Sequence, residues 1–279
     1  MHFSDLNFGR RDRGARRVLQ ALLAAGALAA IAHPAMAQDA AAPGIAQIAD
    51  PWMGFNRGSY AFSMSVDGAV IAPVIHGYIR VTPDPIRTAI GHAIDNLDEP
   101  RIAANDVLQG HLEHAGEASA RFLMNSTIGL AGFIDVAKAA GLQPHDSDFG
   151  QTLGRYGVGT GPYIFVPFVG PSDLRDGVGR IIDAVGDPVG WALGGLNTTF
   201  GQVRDGVYVF QARVDIDDQL TGVKRDFTDP YAALRSAYSQ HREFKIQQTR
   251  GQAVGAPAID ALPDFGAEPA APAPPATRP

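Results

Sequence analysis

Few residues in this sequence have the types and spacing that chemistry needs. His111 and His114 flank Glu113 at helical spacing, and two imidazoles three residues apart can share a metal ion. No third ligand is identifiable from spacing, so the group reads as a solvated helix face and no metal is expected. Gly154, Gly157, Gly159 and Gly161 superficially match a dinucleotide loop. The third glycine of a Gly157/Gly159 match falls on Pro162, however, and no strand precedes it. A G-x-S-x-G elbow and a Walker A Gly-Lys-Ser/Thr are both missing. The acidic groups Asp98-Glu99, Asp146 with Asp148, and Asp217-Asp218 sit where caps and polar turns ordinarily hold such residues. The 279 residues contain no cysteine, which removes disulfides, thiolate metal sites, cysteine nucleophiles and thioether lipid attachment. A net charge of −6 argues against nucleic acid as a partner, because phosphate neutralisation needs a basic surface. The sequence therefore reads as a non-enzyme with no cofactor.

More informative are polar residues embedded in apolar sequence. Arg121 precedes Phe122-Leu123-Met124 and Asn125 follows, while Asp148, Arg155, Arg175 and Asp176 bracket a fourteen-residue uncharged segment, Val158–Pro171. Buried charges need partners. Two readings stay open: these groups pair to staple helices together, or an arginine meets an anionic lipid phosphate. A second segment, Ile128–Ala140, is Gly-punctuated and charged only at Asp135 and Lys138. Both segments are too short and broken to span a membrane, yet too apolar for ordinary surface loops. Either they are buried or they meet lipid.

The elements around them read as helices. An acidic residue precedes proline at Asp50, Asp84, Glu99, Asp187 and Asp229, and an acidic N-cap followed by proline is a helix-start signature. Trp52, Phe55, Phe62 and Val66 fall on one helical face, as do Ile86, Ile90, Ile94 and Leu97. Leu174, Val178, Ile181 and Val185 form another stripe after Ser172, a cap candidate, and Phe200, Val203, Val207, Phe210 and Val214 a fourth. No window shows sustained strand alternation with hairpin turns. The expected class is all-α.

The ends differ in kind. Five arginines between Arg10 and Arg17, an uncharged run Val18–Ala32 and Ala35-Met36-Ala37 describe a signal peptide, 1–37, cut by the general signal peptidase. The Arg16-Arg17 pair is an imperfect twin-arginine match, so ordinary Sec export is expected. An Ala-rich leader covers 38–49, one helical domain 50–250, and a Pro/Ala-rich tail 251–279 that cannot offset its ordering entropy and reads as disordered.

Several ordered blocks resemble one family. Asp50-Pro51-Trp52-Met53-Gly54-Phe55-Asn56-Arg57 is similar to the opening of the MlaA (VacJ) family of outer-membrane phospholipid-transport proteins. The resemblance continues through Asn96–Pro100, Asn105, Leu108-Gln109-Gly110, Arg121–Gly129, Gly132–Ala137, Asp148–Tyr163, Gly170–Ser172, Leu174–Asp176 and Asp229–Tyr231. It implies a ring-shaped helical protein in the inner leaflet of the outer membrane, with an amphipathic central channel. Phospholipid mislocalised to the outer leaflet would descend through it to a soluble periplasmic lipid carrier (MlaC-like), with a trimeric outer-membrane porin as a further partner. The family is typically lipoprotein, with a cysteine after the signal sequence. Ala37-Gln38 stands there in this chain, so no lipid anchor is expected, which motivates an alternative: a soluble periplasmic lipid-binding module docking transiently on the membrane.

Carrying a charged headgroup through such a protein requires a wall polar toward the lumen and apolar outside, and Arg204–Asp217 has both faces. The lipid-path or gating candidates are Gly154, Gly157, Gly159, Gly161, Tyr156, Tyr163, Phe165, Phe168, Leu130 and Phe133. The structural or headgroup candidates are Arg121, Asn125, Asp148, Arg155, Arg175 and Asp176. Gly150–Pro171 is expected to form a hairpin under the channel, whose position gates it.

Overall fold

In the computed structural model the described residues are 48–193 and 199–252, all within a unit that begins at Ala46. The signal peptide, the leader before Ile48 and the tail beyond Gln252 lie outside them.

Helix starts follow side-chain capping. Asp135, Asp148, Asp173, Asp187 and Asp229 each accept a first-turn backbone N–H at 2.7–3.1 Å. They begin α5 (Val136–Ala139), α6 (Phe149–Arg155), α7 (Leu174–Gly186), α8 (Pro188–Ala192) and α11 (Pro230–Thr249). The cap of α7 is thus Asp173, one residue beyond Ser172. The acid-proline signature holds at Asp187 and Asp229, but Glu99-Pro100 lies inside the long helix α3 (Asp84–Gln109). Proline there forfeits one intrahelical hydrogen bond. Glu99 is held instead by Arg121 on α4 (Leu112–Thr127), and α3 packs along α4 more extensively than any other described pair of elements. Gly110, at φ 78°, ends α3 in a left-handed turn.

The first helical stretch is continuous over 29 residues, Met53–Val81. It comprises α1 (Met53–Val66), a π-helical turn (Asp67–Ile71) and α2 (Ala72–Val81). The remaining helices are α9 (Thr199–Asp215) and α10 (Asp217–Asp226). The only strands among the described residues are an antiparallel pair, β1 (Tyr163–Val166) and β2 (Gly170–Asp173), with Tyr163 opposite Asp173. This corrects the strand-free expectation. Tyr163-Ile164-Phe165-Val166 is apolar at every position, so its alternation is invisible in the sequence. In the structure Tyr163 and Phe165 point inward, and with Ile48 and Tyr231 they form the hydrophobic core cluster.

Polarity elsewhere is inverted. Among the described residues twelve hydrophobic side chains are buried against twenty-four polar or charged ones, while thirty-two large hydrophobics remain exposed. The apolar stripes read from the sequence exist, but they face outward: Phe55, Phe62, Ile181, Phe200 and Val203 are all exposed. What the longer helices bury is largely a polar stripe. For α1 and the π turn this is Asn56, Ser59, Ser63 and Asp67; for α3 it is chiefly Asn96, Glu99, Asn105, Asp106 and Gln109.

Candidate functional site

Buried polar stripes cost free energy unless they are paired, and here the pairing is extensive. Arg121 is 3% exposed, with Glu99 at 2.6 Å, Asp135 at 3.1 Å and the Leu142 carbonyl at 2.7 Å. Asn125 donates to Asp135 and accepts from the Ala137 amide. Arg242, on α11, grips both oxygens of Asp148 at 2.7 and 3.0 Å and also pairs with Asp176. Burial pushes the Asp148 carboxyl up, but this guanidinium and the Gln151 amide more than reverse it, to about 2. Asp173 moves oppositely, to about 6, because burial and the neighbouring Asp176 outweigh Arg175. Arg175 pairs with Asp176 at 3.0 Å and Asp173 at 3.4 Å. Among the six polar candidates, Arg121 and Asn125 tie α3 and α4 to Asp135, while Asp148, Arg175 and Asp176 meet Arg242 or one another at the helix starts on either side of the hairpin. The sixth, Arg155, contacts His111 Nε2 at 3.1 Å.

The lipid-path candidates separate into two groups. Tyr163 and Phe165 are buried in the core, where Tyr60 and Tyr231 pack edge-on against them. A hairpin swinging as one body would have to extract both rings from this core. Gly154 is a packing position: a Cβ there would lie 2.7 Å from Ile246 Cδ1. Gly157 and Gly161 hold φ of 89° and 70°, while a Cβ on Gly159 would meet nothing within 4 Å. The other group is exposed. Tyr156 reaches back to the Leu108 carbonyl at 2.6 Å. Phe168, at φ 63°, packs on Phe62. Leu130, Phe133 and their neighbours Ile128 and Ile134 form an apolar tip around a left-handed turn at Leu130-Ala131-Gly132.

Sequence reasoning missed the cavity these elements leave. It occupies about 610 Å3 between α2, α3, α9 and α10, lined by His76, Ile79, Arg80, Arg87, Gln211 and Val214, with Asp217 and Asp218 at one side. Its wall joins apolar, cationic and anionic groups. Arg87 is committed to Asp84 and to the Ile79 and Thr82 carbonyls. Arg80 is exposed and, among the described residues, makes no ion pair. Gln211 Oε1 is buried with no hydrogen-bond partner. The α9 part of this wall falls within Arg204–Asp217, the stretch singled out for its two faces. No sequence signal brought α2 and α10 to it.

A family model described as MlaA lipoprotein matches residues 48–245. The chain belongs to the MlaA family. It is 35% identical over 201 residues to the intermembrane phospholipid transport system lipoprotein MlaA of Shigella flexneri, covering 70% of this chain and 77% of that protein. The same values hold for Escherichia coli (strain K12), and the Haemophilus influenzae relative is 34% identical over 204 residues, or 69% and 77% of the two chains. A solved chain from work on the structural basis for maintenance of bacterial outer membrane lipid asymmetry superimposes with a TM-score of 0.63 at 33% identity. It is matched over 99% of its length and 71% of this one. MlaA membership agrees with a fold that is helical apart from one short hairpin and turns its apolar faces outward.

Proposed function

We propose that this protein is the outer-membrane component of a phospholipid transport system: it takes mislocalised phospholipid from the outer leaflet and passes it to the periplasm, maintaining lipid asymmetry. The observation that carries this reading is the inverted polarity of the helices. A protein surrounded by water would bury the Phe55, Phe62, Val70 and Val74 side of Met53–Val81, whose most apolar window is only 17% buried. A protein lying in one leaflet leaves that side to acyl chains and hides its polar stripe. The relatives are named as intermembrane phospholipid transport proteins, which supports the same conclusion.

The cavity supplies the path. Ile79 and Val214 suit the first methylenes of an acyl chain, while the exposed Arg80 guanidinium suits its phosphate. The partners that fit are phospholipid, a soluble periplasmic carrier to receive it, and a trimeric porin against the apolar helices. Membrane retention rests on the apolar belt, and no covalent step is needed. Deleting the gene in the native host should raise the phospholipid accessible to phospholipase on intact cells, and the wild-type gene should restore it. Unchanged outer-leaflet phospholipid would overturn the proposal. Release of the protein by carbonate washing would point instead to a transiently docked soluble module.

A further inference from the structure

We infer that Asp106, His114 and His145 form a binding site for a divalent transition-metal ion of the zinc class. The three come from separate segments: Asp106 from the last turn of α3, His114 from the first turn of α4, and His145 from the stretch between α5 and α6. Their ligand atoms all lie within 4.8 Å of one another. His145 Nε2 and Asp106 Oδ2 are already 2.8 Å apart, and the His114 and His145 rings lie 5.2 Å apart. Zinc holds nitrogen and carboxylate oxygen at about 2.0–2.2 Å, so its ligands sit roughly 3.3 Å from each other in a tetrahedron. Closing from 4.8 Å to that spacing needs side-chain rotation alone, and the exposed His114 is the arm free to rotate.

The surroundings favour a cation. Asp106 is 2% exposed, and its carboxylate hydrogen-bonds to the His145 ring. A metal ion would replace the hydrogen bond between that pair, because metal ligands bind in their deprotonated forms. Glu117 stands one turn beyond His114 and, with Glu99, adds negative charge near His145. Cysteine is absent from the chain, so the donor set is nitrogen and oxygen, with water completing the exposed side. Adjacency in sequence would suggest His111 with His114, but the structure selects otherwise: Arg155 occupies His111 Nε2 at 3.1 Å. A metal held here would cross-link α3, α4 and the stretch leading to Asp148, which Arg242 holds from α11.

The test uses untagged, metal-stripped full-length protein in detergent, titrated with Zn2+ against a chromophoric chelator. The expected result is one equivalent per chain, at least about tenfold weaker binding in His114→Ala and in His145→Ala, and affinity within about threefold of wild type in His111→Ala. Should His145→Ala fail to fold, the exposed His114→Ala still decides, with its melting temperature as the folding check. Absence of stoichiometric uptake by the wild type, wild-type affinity in His114→Ala, or lost binding in His111→Ala would each overturn the assignment.

Discussion

Replacing Arg121 by methionine tests whether the buried polar stripes hold the fold or meet lipid. The methionine stem fills most of the arginine's volume, so the change is chiefly electrostatic. Glu99 and Asp135, whose side chains are 3% and 9% exposed, lose the cation between them, and the Leu142 carbonyl loses its donor. Removing one partner from a buried ion pair costs about 3–5 kcal/mol. At about 2–4 °C per kcal/mol for a domain of this size, the melting temperature should fall by about 6–20 °C. The sign of the pH dependence follows from the carboxyls. Burial already raises the Glu99 pKa despite Arg121, and without the guanidinium it rises further, while Asp135 loses one of the contacts that hold it low. The folded variant then binds more protons than its unfolded chain through the carboxylate range, so its stability falls as pH rises through that range. The deficit measured by circular dichroism should be smaller at about pH 5 than at about pH 7, and adding Glu99→Gln should recover part of it. A variant that melts within about 2 °C of wild type but no longer clears outer-leaflet phospholipid would refute the reasoning and make Arg121 a lipid contact.

Gly179→Ala should lower the melting temperature by several degrees, because its Cβ would lie 2.4 Å from the Gly150 amide nitrogen, backbone against backbone. Gly159→Ala should leave it unchanged, having nothing within 4 Å; equal losses in a thermal melt of both would count against this packing scheme. Arg80→Glu should preserve folding while raising phospholipase-accessible phospholipid on cells, and normal lipid levels would remove Arg80 from the path. The Asp148–Arg242 pair contributes stability present above the ordinary carboxyl range, at about 3.9, and lost as pH falls toward about 2. Acid titration of Asp148→Asn, followed by circular dichroism, should lack that limb of the curve.

The sequence by itself determined the helical class, the blocks that place the chain in its family and several of its helix starts, because capping and 3.6-residue periodicity are local properties. Asp187-Pro188 and Asp229-Pro230 could be read directly. The stripes Phe55–Phe62 and Leu174–Val185 were equally legible, but not the direction they face. Periodicity fixes which residues share a face; the solvent fixes which face turns inward. Asn56, Ser59, Ser63 and Asp67 were a polar stripe at helical spacing all along, and only their partners show it to be the buried one: Tyr163 for Asn56, and Arg213 and Lys224 for Asp67. Contacts between distant segments decided the rest. The tertiary structure put Tyr163 and Phe165 in the core, carried α3 through Pro100 by pairing Glu99 with Arg121, joined α2 and α9 around one cavity, and replaced the His111–His114 pair with His114, His145 and Asp106. Each of these depends on residues from 8 positions apart (Asp106 and His114) to 135 apart (His76 and Gln211) meeting in space, information that neither spacing nor composition carries.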